Sequence, residues 1–261
     1  MLYLSNARAQ EPASAAWQIT GFDVNANIQQ AERTLSAVAI LNVTNVGRGT
    51  GQYFAFRINS KAIIKAVTVA GATANTRIVP ESQGNAQRIT VTLPGPVAPN
   101  SAFVINITYS LPVDSNTGLA AISQLGSQFL PLSFWYPTPN TALSVRGADT
   151  APFRIVVNGS NVISSGSEKP GAGGGSTYEQ TLNGQPFFVQ GDWEKIEATG
   201  DGKNIATFIA RGASPEEKKQ AEAIMTLAAN ARSFYAGLMG PAPRGSRIRT
   251  AMSPTCGCPS P

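Results

Sequence analysis

The chain has 261 residues, of which 42% are hydrophobic and only 13% charged, with 25 Gly, 18 Pro and a net charge of +5. It contains no histidine, so this polypeptide alone builds no Ser-His-Asp or Cys-His hydrolase, no histidine-ligated zinc site and no imidazole acid–base pair. A chain this long buries roughly 70% of its unfolded surface and needs no disulfide to hold its core.

The N-terminus comes first. Ala7-Arg8-Ala9 before Gln10-Glu11-Pro12 has the form of a signal-peptide cleavage site, and Met1–Leu4 is too short for a full apolar region. Either the true start lies upstream or the Ala-x-Ala match is chance; on the first reading residues 1–16 are expected to be a leader remnant, and the location secreted or periplasmic. The low charge, with a polar surface left to Asn, Gln, Ser and Thr, suits that location.

From Trp17 to Arg211 the dominant pattern is period-two alternation broken by Gly, Pro and Asn. Leu35, Ala37, Ala39, Leu41 and Val43 alternate with Ser36, Val38, Ile40, Asn42 and Thr44, a half-buried strand. Further strands are expected near Tyr53–Ile58, Ile63–Val69, Gln87–Leu93 and Ala102–Tyr109. The last two are punctuated by Pro94, Pro96 and Pro99, because proline cannot donate to a central ladder. A second set covers Phe153–Asn158, Asn161–Ser164, Tyr178–Leu182, Pro186–Ala198 and Asn204–Ala210. Turns this short favour antiparallel pairing in a sandwich. Ser165–Ser176 holds Lys169-Pro170-Gly171-Ala172-Gly173-Gly174-Gly175 and reads as a mobile hairpin connection. No Gly-Lys-Ser/Thr and helix follow it, as a phosphate loop requires. Gly200-Asp201-Gly202 is a hairpin-turn signal.

The period then changes to that of a helix. Ser214-Pro215-Glu216-Glu217 supplies an N-cap serine, proline at the first helical position and a glutamate three residues after the cap. Ala221, Ile224, Met225, Ala228, Ala231, Tyr235 and Leu238 recur at spacings of three and four. Gly240 and Pro241 end the element, so one amphipathic helix is expected over 215–239. The fold class is mainly β, an antiparallel β-sandwich followed by this C-terminal helix.

Little in the chain carries chemistry by itself. Cys256 and Cys258 fall short of the four ligands of a structural zinc site, and no metal is expected in this chain. Arg232, Arg244, Arg247 and Arg249 lack the aromatic interleaving of a nucleic-acid groove, so no nucleic-acid partner is expected. No stretch reaches the ~18 to 20 apolar residues of a membrane span. Asp192 and Glu194 lie two apart on one strand face, and Glu216 and Glu217 are explained by the helix N-terminus. Ser127, Ser164 and Ser165 have no histidine to activate them. Of Trp135-Tyr136 and Phe187-Phe188, strand alternation puts one residue of each pair in the core.

Several phrases in order resemble the N-terminal part of the aminopeptidase N-like zinc metallopeptidase family, the gluzincins. Ile19–Val46 resembles the family's opening hairpin. Leu93-Pro94 followed by Phe103–Tyr109 matches its "leucine-proline, then strand ending in tyrosine". Phe134-Trp135-Tyr136-Pro137, Asp149–Val157 and Val162–Gly166 resemble the aromatic-proline element, the strand after it and the next turn. Phe234–Pro243 resembles the end of the first catalytic-domain helix. The resemblance covers Trp17–Arg249. It implies a saddle-shaped β-sandwich domain over 17–211, a truncated start of the catalytic domain over 212–250 and an irregular tail over 251–261. The Gly-x-Met-Glu-Asn strand and the His-Glu-x-x-His helix are absent, and Phe134–Pro137 lacks the proline-cysteine-x-aspartate form.

What the resemblance implies for function is a non-catalytic N-terminal domain or fragment of such a peptidase, inactive alone, that shapes the cleft for peptide N-termini. Its partner would be the missing catalytic domain, and zinc the cofactor of the complete relative only. In the family, a glutamine or glutamate about nine residues before the aromatic-proline element binds the substrate's α-amino group. Gln128 has that spacing to Pro137, while the residue read on its own is a polar strand-edge position like Gln124. The alternative functions are a stand-alone secreted β-sandwich that binds protein or carbohydrate, and an inactive descendant kept for binding.

Overall fold

A computed structural model gives the fold and describes residues 14–82, 84–139, 149–169, 175–198, 204–242 and 247–251. The first half of the chain forms β1 (Trp17–Gln29), β2 (Thr34–Asn45), β3 (Gly51–Asn59), β4 (Ile63–Val69), β5 (Ala72–Thr73), β6 (Thr76–Pro80), β7 (Ala86–Val97) and β8 (Ala102–Pro112). It continues with β9 (Ala120–Ser123), β10 (Gly126–Phe129), a 3-10 turn at Pro131–Ser133, β11 (Ala151–Val157), β12 (Val162–Ser164), β13 (Ser167–Lys169) and β14 (Ser176–Gly184). The last elements are β15 (Phe188–Gly191), β16 (Trp193–Glu197), β17 (Ile205–Ala210), α1 (Pro215–Met239) and β18 (Ile248–Ala251).

Alternation along β2 becomes burial: Leu35, Ala37, Ala39, Leu41 and Val43 are all inside. The same inner face recurs on β1 and β8, which flank β2 in an eight-stranded sheet of order β13-β14-β11-β1-β2-β8-β4-β5. A three-stranded sheet, β3-β7-β6, packs on it and contributes Phe54, Phe56, Ile58, Ile89 and Val91 to one shared core. Trp17 stands edge-on to Phe54 and Phe103, with ring centroids 6.2 and 5.4 Å apart. Burying each such side chain contributes about 1.5–3 kcal/mol. A four-stranded sheet, β12-β15-β10-β9, and a three-stranded one, β16-β17-β18, follow.

Four expectations need correction. Pairing is not antiparallel throughout, because β1 pairs with β11 and β17 with β18 in parallel. Parallel pairs need a long crossover, and short-turn patterns report only on neighbouring strands. Second, β7 runs on through Pro94 and Pro96 to Val97. Its partner β6 pairs only as far as Val91, so the later residues lie on a free edge, where a proline is tolerated. Third, the stretch Pro186–Ala198 divides at Asp192 into β15 and β16, which belong to different sheets. Fourth, Trp135 and Tyr136 are both buried. They follow a 3-10 turn and Phe134 in left-handed conformation (φ 54°), so strand alternation does not apply. Trp135 donates its indole N–H to Pro186 O at 3.2 Å.

Helix α1 has the expected bounds and cap. Ser214 Oγ accepts from Glu217 N, and Glu217 Oε2 accepts from Ser214 N at 2.7 Å, a reciprocal capping box. Much of its apolar stripe is left unpacked. Ala221 is buried and Met225 half-buried, but Tyr235 and Leu238 are 58% and 69% exposed. No helix among the described residues is long and apolar enough to cross a membrane. The Ala7-Arg8-Ala9 site, Gly171–Gly174, Gly200-Asp201-Gly202, Arg244, Cys256, Cys258 and the tail after Ala251 lie outside the described residues.

Candidate functional site

The β9–β10 hairpin builds the candidate site. Its turn ends at Gly126 (φ 151°), where a Cβ would stand 2.1 Å from Gln190 O, so the close approach of β10 to β15 requires glycine. Two residues on, Gln128 pairs with Ala121 of β9 and Val189 of β15. It therefore lies inside the sheet and not at a strand edge, and it is only 5% exposed. Residues opposite one another share a face, so Gln128 sits with Ala121, Val189 and, beyond it, Ile163. Ile163 and Val189 form a small cluster with Trp193.

The other face of this sheet is an aromatic platform. Phe129 and Phe188 have ring centroids 5.2 Å apart, and Trp135 stands edge-on to Phe188 at 5.2 Å. The backbone under Gln128 is therefore fixed by core packing. Gln128 Nε2 donates to Gly118 O at 2.8 Å and Thr117 O at 3.4 Å. That loop is itself held, since Ala120 N donates to Thr117 Oγ1 at 3.0 Å. These bonds use the amide nitrogen and leave Oε1 as the free acceptor among the described residues. A neutral acceptor of this kind suits an ammonium donor.

Several other residues weighed in the sequence are spent on structure. Asp192 pairs with Arg211 at 3.0 Å and Glu194 with Lys218 at 3.1 Å. Ser164 Oγ donates to Phe187 O at 2.6 Å, and Ser127 is buried in β10. A cleft of about 840 Å³ opens beside Ile163 and Val189 and extends to β18. Gln128 is not among its lining residues. Arg249 and Ser165, which do line it, come together from opposite ends of the chain's second half. Sequence spacing gave no signal of that meeting. Zinc, implied by the resemblance for the complete relative, finds no fitting donor set here. There is no histidine, and no three Cys, Asp or Glu converge among the described residues.

No protein-family model and no curated protein matches the chain. Solved structures do. Yeast LTA4 hydrolase in complex with bestatin superposes with a TM-score of 0.69 at 12% identity, covering 97% of this chain and 41% of that one. An M1 zinc metallopeptidase from Deinococcus radiodurans gives 0.58 at 17% identity, covering 90% and 55%. A two-domain M1 zinc metallopeptidase bound to L-arginine gives 0.59 at 16%, covering 90% and 56%. The fold is that of the N-terminal part of M1 zinc metallopeptidases. The chain spans about half the length of these structures or less, and at such identities the shared property is the fold.

Proposed function

We propose that this chain is the non-catalytic N-terminal β-domain of an M1, aminopeptidase N-like zinc metallopeptidase, and that it shapes the cleft for peptide N-termini in the complete protein. The supporting observation is the extent of the likeness. Nearly the whole chain, 97%, follows an enzyme of which it spans 41%, and its element order is the one the motif resemblance implies. With no histidine in this chain, the zinc of the complete protein would be held by residues of a partner unit, where it would supply Lewis-acid activation for hydrolysis of the first peptide bond.

Gln128 is the residue through which this domain touches substrate. Its Nε2, held on Gly118 O and Thr117 O, fixes the plane of the carboxamide, and Oε1 accepts a hydrogen bond from the α-ammonium. The site of action is secreted or periplasmic. Reading the gene beyond the Pro261 codon tests the proposal. A frame that continues into Gly-x-Met-Glu-Asn and His-Glu-x-x-His supports it. A stop codon followed by an unrelated gene overturns it in favour of a stand-alone binding module.

A further inference from the structure

Two residues far apart in sequence meet in the cleft of about 840 Å³. Arg249, on β18, donates from Nη1 to Gly166 O at 2.8 Å and to Ser164 O at 3.4 Å. Its guanidinium carbon lies 5.8 Å from the centroid of the Tyr178 ring. These contacts hold the fork in place, yet Arg249 forms no ion pair among the described residues. Nε and Nη2 have no acceptor there either. A positioned, half-buried guanidinium without a counter-ion gains most from a planar oxyanion that it can grip with two parallel bonds.

Ser165 lies between the two carbonyls that Arg249 holds. Its Oγ is buried and has no hydrogen-bond partner, an arrangement that native structures rarely keep without use. Ser165 and Arg249 line the same cleft, whose remaining walls include Ile163, Leu182 and Val189. Glu168 shares the rim, and its charge disfavours a dianion more than a monoanion.

We propose that this cleft binds a small carboxylic acid with an apolar body. Arg249 and Ser165 hold the carboxylate, and Ile163, Leu182 and Val189 cover the body. Arg247 and Glu168 also line the cleft and offset one another in charge, so Arg249 is left to balance one carboxylate, and the apolar walls favour an acid with an apolar body over a bare inorganic ion. The inference uses neither Gln128 nor the likeness to peptidases, so it stands or falls apart from them.

Calorimetric titration of the full chain tests it, with N-acetyl-L-leucine as the acid, N-acetyl-L-leucinamide as its neutral twin and inorganic phosphate as the competing oxyanion. The acid is expected to bind saturably, with the amide and phosphate each at least about tenfold weaker, the order of one lost charge-assisted hydrogen bond. Ser165→Ala should weaken the acid several-fold to about tenfold without lowering the unfolding midpoint, because it removes a hydroxyl that has no partner. Arg249→Lys should weaken it by about tenfold or more, since an ammonium cannot reproduce the fork. If Arg249→Lys fails to fold, Ser165→Ala still decides. Equal affinity for acid and amide, tighter binding of phosphate, unchanged binding in Ser165→Ala, or no binding of the acid at millimolar concentration each overturns the proposal.

Discussion

The Tyr109 hydroxyl donates a 2.8 Å hydrogen bond to the carbonyl oxygen of Trp135, and both residues are wholly buried. This bond ties β8 of the large sheet to the aromatic segment that underlies the Gln128 strand. Tyr109→Phe keeps the ring and deletes the bond, leaving Trp135 O without this donor. A loss of about 1–3 kcal/mol is expected, read as a lower urea midpoint at unchanged slope. A loss below about 0.5 kcal/mol would mean that another donor has replaced the hydroxyl.

Burial above all pushes the phenols of Tyr109, Tyr136 and Tyr178 upward, Tyr178 to about 12. A phenol whose folded pKa is raised stabilises the fold fully below its unfolded value of about 10. That contribution is lost as pH rises through the folded value. The chain should therefore lose stability from about pH 10 upward, with part of the phenolate absorbance appearing only as it unfolds. Complete ionisation of all tyrosines in a still-folded chain would contradict this.

Glu217 behaves in the opposite sense. The Ser214 backbone N–H that its carboxylate accepts holds its pKa below the ordinary value, and the Ser214 side chain adds to this. A depressed carboxylate stabilises above its unfolded pKa, about 4.3, and the gain is lost as pH falls through the folded value. Helical circular dichroism should decline with acid in that window, and Glu217→Gln should flatten the decline. Asp114 beside Lys61 and Glu197 beside Lys195 are lowered too, so global stability keeps an acid dependence in the variant. Ser214→Ala should cost about 0.5–2 kcal/mol at neutral pH.

The loop anchoring by Gln128 and the substrate contact proposed for it are separable by experiment. Gln128→Ala removes the donor to Gly118 O and should destabilise the domain by about 1–3 kcal/mol. Gln128→Glu places a carboxylate against two carbonyl oxygens and should destabilise it further. In a complete enzyme carrying this domain, folded Gln128→Ala should mainly raise KM for unblocked peptides, lowering kcat/KM about ten- to a hundredfold. Unchanged kcat/KM beside a lowered thermal midpoint would leave Gln128 a loop anchor only.

The 261-residue polypeptide by itself is expected to hold no stoichiometric zinc after dialysis and to leave aminoacyl anilides intact, because it has no histidine to ligate or activate. One retained zinc per chain together with turnover would refute this.

Local signals were legible and distant ones were not. The cap at Ser214 and the stop at Gly240 lie within a few residues of the helix they delimit, so Pro215–Met239 could be read directly. Strand β2 announced itself because one face is core and the other is wet. The short strands β9 and β10 have burial on both faces, hence no alternation to read. Trp135 and Tyr136 escaped because a single left-handed residue, Phe134, resets the period. Gln128 was legible only through spacing to Pro137, which says nothing of its bond to Gly118. The meeting of Arg249 with the carbonyls of Ser164 and Gly166 spans 85 and 83 positions, beyond any periodic pattern.

The parallel pairing of β1 with β11 also dictates when the domain can form. Asp23 and Arg154, adjacent in that register, are separated by 131 positions. Closing such a loop is entropically costly and slows folding. On a ribosome, β1 can find β2 within seconds of its emergence, at about 5–20 residues per second, but waits for more than a hundred further residues before its other edge is covered. Until then that edge is an open template for wrong strands, so the nascent chain is most in need of a chaperone before β11 arrives.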